Sequence, residues 1–157
     1  PAGARIGSAA DRARKIPRAM WGMFTAHLGV AAFAFGVAMV KTYDIERDVR
    51  MGPGSATELQ GYVFRMHDVQ DVQGPNYVAA RATITVERNA RTIATLYPEK
   101  RVYRVQQSAM TESAVDSGVA RDLYVSMGER LPGGDWVVRV QVKPFVAWIW
   151  AGCLIMA

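Results

Sequence analysis

Cysteine is almost missing from this 157-residue chain, which holds Cys153 and no other. A lone thiol forms no internal disulfide, and no cysteine cluster is left to hold a metal. Cys153 falls in an apolar run, where it reads as a small buried hydrophobe. Histidine is nearly as scarce, with His27 and His67 alone. Nucleophile elbows, phosphate-binding glycine loops and cysteine pairs are absent, and with them the usual signatures of hydrolase, nucleotide-binding and thiol chemistry. Acid is missing from the N-terminal 41 residues except for Asp11, while Arg5, Arg12, Arg14, Lys15, Arg18 and Lys41 lie there. The net charge of +5 comes entirely from that imbalance, because residues 42–143 hold 13 basic and 13 acidic side chains. A nucleic-acid surface needs its basic patch on the folded domain, so no nucleic acid is expected as a partner. Basic residues crowded before an apolar span are instead a topology signal.

Half of the residues are hydrophobic, and they are concentrated. Ala19 to Val40 holds 22 residues with no charge and no proline. As a helix it measures about 33 Å, enough for a hydrocarbon core of about 30 Å. Trp21 and Tyr43 flank it as interfacial aromatics do. The run is too long for a signal peptide and no small-residue cleavage site follows it, so residues 19–41 are expected to form a transmembrane helix. Gly22, Gly29 and Gly36 repeat every seven residues, a small-residue stripe that lets another helix approach closely. Phe145 to Ala157, with Trp148 and Trp150 near its start, opens a second apolar helix that stops short of crossing. Residues 144–157 are therefore expected to begin a last, truncated transmembrane helix. The chain reads as a piece of a longer protein, starting at Pro1.

Between the two apolar runs, short β-type stretches alternate with turn signals. Gly61–Val69, Tyr77–Glu87, Arg91–Tyr97, Arg101–Val105, Arg121–Met127 and Asp135–Val142 read as strands. Met51–Ser55, Gly74–Asn76 and Pro132–Gly134 punctuate them. Thr111–Ser117 reads as a helical turn or a loop, and Asp44–Arg50 as a salt-bridged exit from the membrane. About six short strands predict a β-rich domain over residues 42–143, an oligonucleotide/oligosaccharide-type small barrel by preference, with a sandwich as the alternative. The positive-inside rule places the Arg-rich loop, residues 1–18, in the cytoplasm and residues 42–143 outside.

His27 is the one ionisable side chain in the span. Polar groups in a bilayer are costly and are kept with a partner or a function. A neutral imidazole beside Ala31 and Ala34 suits an axial haem ligand. It suits equally a hydrogen bond to a neighbouring helix, and less well a proton relay. His67, next to Asp68, reads as solvent-facing. Glu112 and Asp116, four apart, read as an ordinary polar face and not as an acid–base pair.

Several blocks carry a family resemblance: AHLGVA in the helix, then YDIERDVRM, GPNY, YPEKRVY, MTESAVDSGVARDLYV and VKPFVAWIWAG. In this order, from Met20 to Ala157, they resemble the C-terminal part of the CcmF-type cytochrome c haem lyases of System I cytochrome c maturation. The resemblance implies a multi-pass inner-membrane protein that attaches haem covalently to the CXXCH motif of apocytochrome c. The haem chaperone CcmE and CcmH- and CcmI-type subunits are its implied partners. It also implies an intramembrane haem b held by two histidines, the more C-terminal of them in an A-H-[LIV]-G block. Here that block is Ala26-His27-Leu28-Gly29, so the haem b ligand role carries onto His27. The family's tryptophan-rich WWD segment, its flanking histidines and the second ligand do not occur in this chain, and no catalytic residue is assigned within it. The paralogous lyase subunit NrfE has similar blocks. Two readings without haem stand beside this one: a membrane-anchored periplasmic interaction module, and a subunit of a transporter with a β-rich outer domain.

Overall fold

The computed structural model describes residues 17–157; apart from Pro17 and Arg18, the segment expected to be the cytoplasmic loop lies outside the described residues. Helix α1, Arg18–Tyr43, follows Pro17 and closes with the Asp44 amide donating to the Val40 carbonyl at 2.9 Å. A proline is tolerated ahead of the first turn, where an amide would find no intrahelical acceptor. The helix is long and apolar enough to cross a membrane.

Ten strands follow: β1 Ile45–Met51, β2 Ala56–Leu59, β3 Tyr62–Gln73, β4 Tyr77–Arg88, β5 Arg91–Leu96, β6 Glu99–Tyr103, β7 Ala109–Glu112, β8 Ala114–Ser117, β9 Arg121–Arg130 and β10 Trp136–Pro144. They form two antiparallel sheets. One runs β1-β10-β9-β8; the other runs β2-β3-β4-β6-β7, with β5 on β4. Alternation explains which face is inside. Ala82, Ile84 and Val86 of β4 are fully buried, as are Leu123, Val125 and Met127 of β9 and Val138 and Val140 of β10. Phe64 and Met66 of β3, in the same sheet as β4, join them in the one core between the two sheets. Each of these side chains larger than alanine contributes about 1.5–3 kcal/mol by leaving water. A bulge at His67 shifts the register between Met66 and Asp68, which brings Val69 against the core.

Two tight turns set the hairpins. Gln60-Gly61 joins β2 to β3 and Asn89-Ala90 joins β4 to β5, all four residues at positive φ, as a two-residue turn matched to strand twist requires. Strands β5 and β6 pair with successive halves of β4. They are separated at Pro98, which has no amide to give, while its carbonyl accepts from the Ala82 amide at 3.0 Å.

All six expected strands are present, and the all-β domain is a two-layer sandwich, not the preferred barrel. The chain steps from one sheet to the other between β1 and β2 and again between β7 and β8, and the sheets do not ladder together there. A barrel needs that closure. Thr111–Ser117 is neither helix nor plain loop: its two halves are strands in opposite sheets, parted at Ser113. The Asp44–Arg50 run is largely strand β1. Glu46, Asp48 and Arg50 are the outward half of a ladder on β10, where Arg139 makes two hydrogen bonds to Asp48, at 2.7 and 2.9 Å, and Gln141 donates to Glu46 at 2.6 Å. Salt bridging was expected there; the pairing that makes it a strand was not visible locally.

Helix α2, Val146–Met156, starts after Phe145 in the left-handed region. Phe145 donates its amide to the Ala120 carbonyl at 3.0 Å and Trp148 its indole N–H to the Val119 carbonyl at 3.1 Å. The α1 stripe packs here. A Cβ added at Gly29 would meet the Gly152 carbonyl at 2.8 Å, and one at Gly36 would meet the Ile149 amide at 2.9 Å. Gly22, the third member, has nothing within 4 Å. Phe35, Phe145 and Trp148 close the seam edge to face at the sandwich end.

Candidate functional site

His27 lies nine residues into α1, about 14 Å along its axis. At 100° per residue it stands about 200° around the helix from Gly29, on the side away from α2. Its exposed neighbours there are Met20, Met23, Phe24 and Val30, all large and apolar. The ring is not loose: Nδ1 lies 2.7 Å from the Met23 carbonyl oxygen. A carbonyl only accepts, so Nδ1 carries the proton and donates. In the neutral imidazole this leaves Nε2 with a free lone pair, directed away from the helix backbone. That is the arrangement in which one ring nitrogen is oriented by a backbone carbonyl and the other is offered to a metal. The residues present therefore fit one axial position of a haem, with an apolar face to receive a porphyrin.

The other candidate residues do not assemble. His67 sits at the β3 bulge with Nε2 2.8 Å from the Thr85 hydroxyl, exposed as expected. Glu112 and Asp116 share no helix face. Glu112 of β7 pairs with Arg101 at 3.2 Å, and Asp116 of β8 pairs with Arg121. Both acids are neutralised where they stand, which leaves no acid–base dyad. Among the described residues no three His, Cys, Asp or Glu side chains gather as a metal site. Cys153 is exposed on α2, where burial was expected, because the described residues put no third helix against it.

One polar cluster had no sequence signal beyond its place in the YPEKRVY block. Glu99 is 4% exposed on the outer face of the larger sheet. Arg81 donates to it at 2.6 Å and Arg101 at 2.7 Å. Arg101 lies over the Tyr77 ring at 4.5 Å, and Tyr77 meets Tyr103 edge to face. Burial pushes the Glu99 carboxyl up, but the hydrogen bonds from Arg101 and Arg81 outweigh it and hold the group below the usual carboxylate range. Each charge is met within the cluster, so the arrangement stiffens β4 against β6 and has no free group for chemistry.

An apolar helix long enough to cross a membrane that runs into a β-sandwich and is met, on the side away from His27, by a second apolar helix defines a class: membrane-associated proteins with an extramembrane β domain. Residues 42–144 match the family model described as the CcmF C-terminal beta-sandwich, and the chain belongs to the CcmF family. It is similar to the cytochrome c-type biogenesis protein CcmF of Pseudomonas aeruginosa, 51% identical over 92% of this chain and 22% of that protein. It is also similar to CcmF of Escherichia coli, 47% identical over 94% of this chain and 23% of that protein. The cytochrome c-type biogenesis protein NrfE of Haemophilus influenzae is 35% identical over 92% of this chain and 23% of that protein. A solved structure of a cytochrome c heme lyase CcmF shares the fold, with a TM-score of 0.72 and 22% identity over 98% of this chain and 25% of that one. The chain thus spans between a fifth and a quarter of the length of these relatives.

Proposed function

We propose that this chain is the C-terminal part of a haem lyase that joins haem to the CXXCH cysteines of apocytochrome c, and that His27 is one axial ligand of a resident haem b in the membrane. The observation that carries the reading is the His27 ring, tied by Nδ1–H to the Met23 carbonyl with Nε2 left free on an apolar face. When bound, a haem b supplies one-electron chemistry at iron. The chain's own residues do the rest. Met23 fixes the tautomer and the ring plane, so that no proton must leave Nε2 before it can ligate. Met20, Phe24 and Val30 exclude water from that side. The Gly29–Gly152 seam keeps α2 off the His27 face. Any further haem ligand would come from outside this chain, as would the pair of thiols that the lyase reaction needs, since Cys153 is the chain's one cysteine.

In this reading α1 spans the inner membrane with Arg5, Arg12, Arg14, Lys15 and Arg18 on the cytoplasmic side. Residues 42–143 are periplasmic, α2 begins the return span, and the sandwich faces apocytochrome c, the haem chaperone CcmE and the CcmH- and CcmI-type subunits. The higher identity to CcmF proteins than to NrfE supports general cytochrome c maturation over the nitrite-reductase branch.

The test is His27→Gly in the full-length protein. The reduced-state absorption band and holocytochrome c formation are both lost, and added imidazole restores the band by filling the vacated ligand position. An unaltered spectrum with normal cytochrome c overturns the assignment and leaves His27 as a polar contact between helices.

A further inference from the structure

We propose that the β4–β5 hairpin is a docking surface for anionic lipid headgroups, with Arg88 and Arg91 at its tip gripping phosphate at the bilayer edge. The inference rests on α1 and α2 being membrane spans.

The hairpin tip sits at the helix end of the sandwich. Arg88 donates to the Tyr62 hydroxyl at 2.7 Å and lies over the Tyr62 ring at 4.7 Å. Arg121 lies over the same ring at 5.5 Å. Arg121 is the cross-strand partner of Pro144, the residue before Phe145 and α2. The Tyr62 ring and Arg121 therefore lie between the arginine tip and the point where the chain turns into α2. The opposite end of the sandwich, where Met51 pairs with Trp136, is remote from both helices.

Charge at that tip is unbalanced. Arg88 and Arg91 are direct cross-strand partners, and like charges opposite one another destabilise a ladder unless an anion lies between them. Both are exposed, and among the described residues neither has an ion pair. The neighbouring cations are occupied, Arg121 by Asp116 and Lys143 by Asp44 at 3.8 Å. The nearby acids are engaged as well: Glu87 faces Arg65 at 3.7 Å, and Asp122 accepts from the Gly118 amide at 3.1 Å. The short Asn89-Ala90 turn leaves no longer loop beyond the two guanidinium groups. Their planar forks match phosphate oxygens, and each arginine near an anionic surface adds to the attraction. Phosphate is the shared chemistry of a lipid headgroup and of the free ion; placement beside the aromatic start of α2 selects the headgroup.

The full chain with Cys153→Ser, carrying a nitroxide at Thr92→Cys, is placed in lipid nanodiscs of phosphatidylcholine alone or with added phosphatidylglycerol. Phosphatidylglycerol cuts collision of the label with an aqueous nickel complex by about half, and Arg88→Gln with Arg91→Gln abolishes that difference while the circular dichroism of the fold is kept. A label indifferent to lipid charge, or a response that survives the double substitution, overturns the proposal. The same response to inorganic phosphate added to phosphatidylcholine discs overturns the headgroup assignment. A second label at Ala38→Cys reads the spans: oxygen-accessible and shielded from nickel in both lipids, it supports them. A water-exposed Ala38 label overturns the span reading and this inference with it, whereas a shielded Ala38 with an indifferent Thr92 overturns the headgroup contact alone.

Discussion

Two side chains, His27 and Glu99, show how one residue's surroundings set its role. His27 has an acceptor on one nitrogen and nothing on the other, so it is available. Glu99 has its oxygens engaged by Arg81 and Arg101, so it is structural. Removing the Glu99 charge leaves two guanidinium groups facing an amide. Glu99→Gln is expected to cost about 1–3 kcal/mol in urea unfolding at pH 7. The loss is modest because Arg81 is well exposed and Arg101 keeps Glu112. The acid dependence follows in sign. The folded carboxyl titrates below its ordinary 4.5, so the folded state binds fewer protons than the unfolded chain in that range. Its stabilisation is complete above pH 4.5 and is lost as pH falls through the lowered folded value. In the Gln variant this part of the acid destabilisation disappears, which a comparison of urea midpoints at pH 7 and pH 3 detects.

At the scale of elements, the α1–α2 seam distinguishes glycines of equal sequence appearance. A side chain at Gly152 would meet the Phe33 amide at 2.5 Å and the Gly29 carbonyl at 2.7 Å, both backbone atoms that cannot yield. Gly152→Leu is expected to force the helices apart and cost about 1–3 kcal/mol or more, seen as a lower thermal midpoint of the helical signal in micelles. Gly22→Ala, with nothing nearby, leaves that midpoint unchanged or raises it slightly, since alanine favours helix. The strands make a similar contrast. Runs such as Tyr77–Arg88 alternate apolar and polar and declare themselves. Strand β1 does not, because on its inward face only Met51 is fully buried and Arg47 interrupts the apolar residues, while Glu46, Asp48 and Arg50 carry charge on the other face.

Across the whole molecule, the pairing of the first strand with the last is what brings α1 and α2 side by side. Asp48 and Arg139 are 91 residues apart in the chain, and Ile45 faces Val142 directly below the helices. Closing so long a loop is costly before contacts reward it. Refolding of the full chain in detergent, followed by Trp136 emission as that side chain is buried against Met51, is therefore expected in the millisecond-to-second range. A microsecond phase carrying the full amplitude contradicts the β1–β10 closure as a late, non-local step.

The division between local and long-range information accounts for what was legible. The order of residues alone determined the apolar span, its glycine stripe, the isolated imidazole within it and six of the ten strands, because helix period, strand alternation and turn residues act over a few neighbours. Even the Met23–His27 contact is one helical turn. Tertiary structure alone decided the sandwich over the barrel, the strand character of Asp44–Arg50 and Thr111–Ser117, the burial of Glu99, the separation of Glu112 from Asp116 and which glycines meet α2. Those features depend on partners distant in the chain, and a charged edge strand and a solvated loop share the same local pattern until the neighbouring strand arrives to pair with one of them.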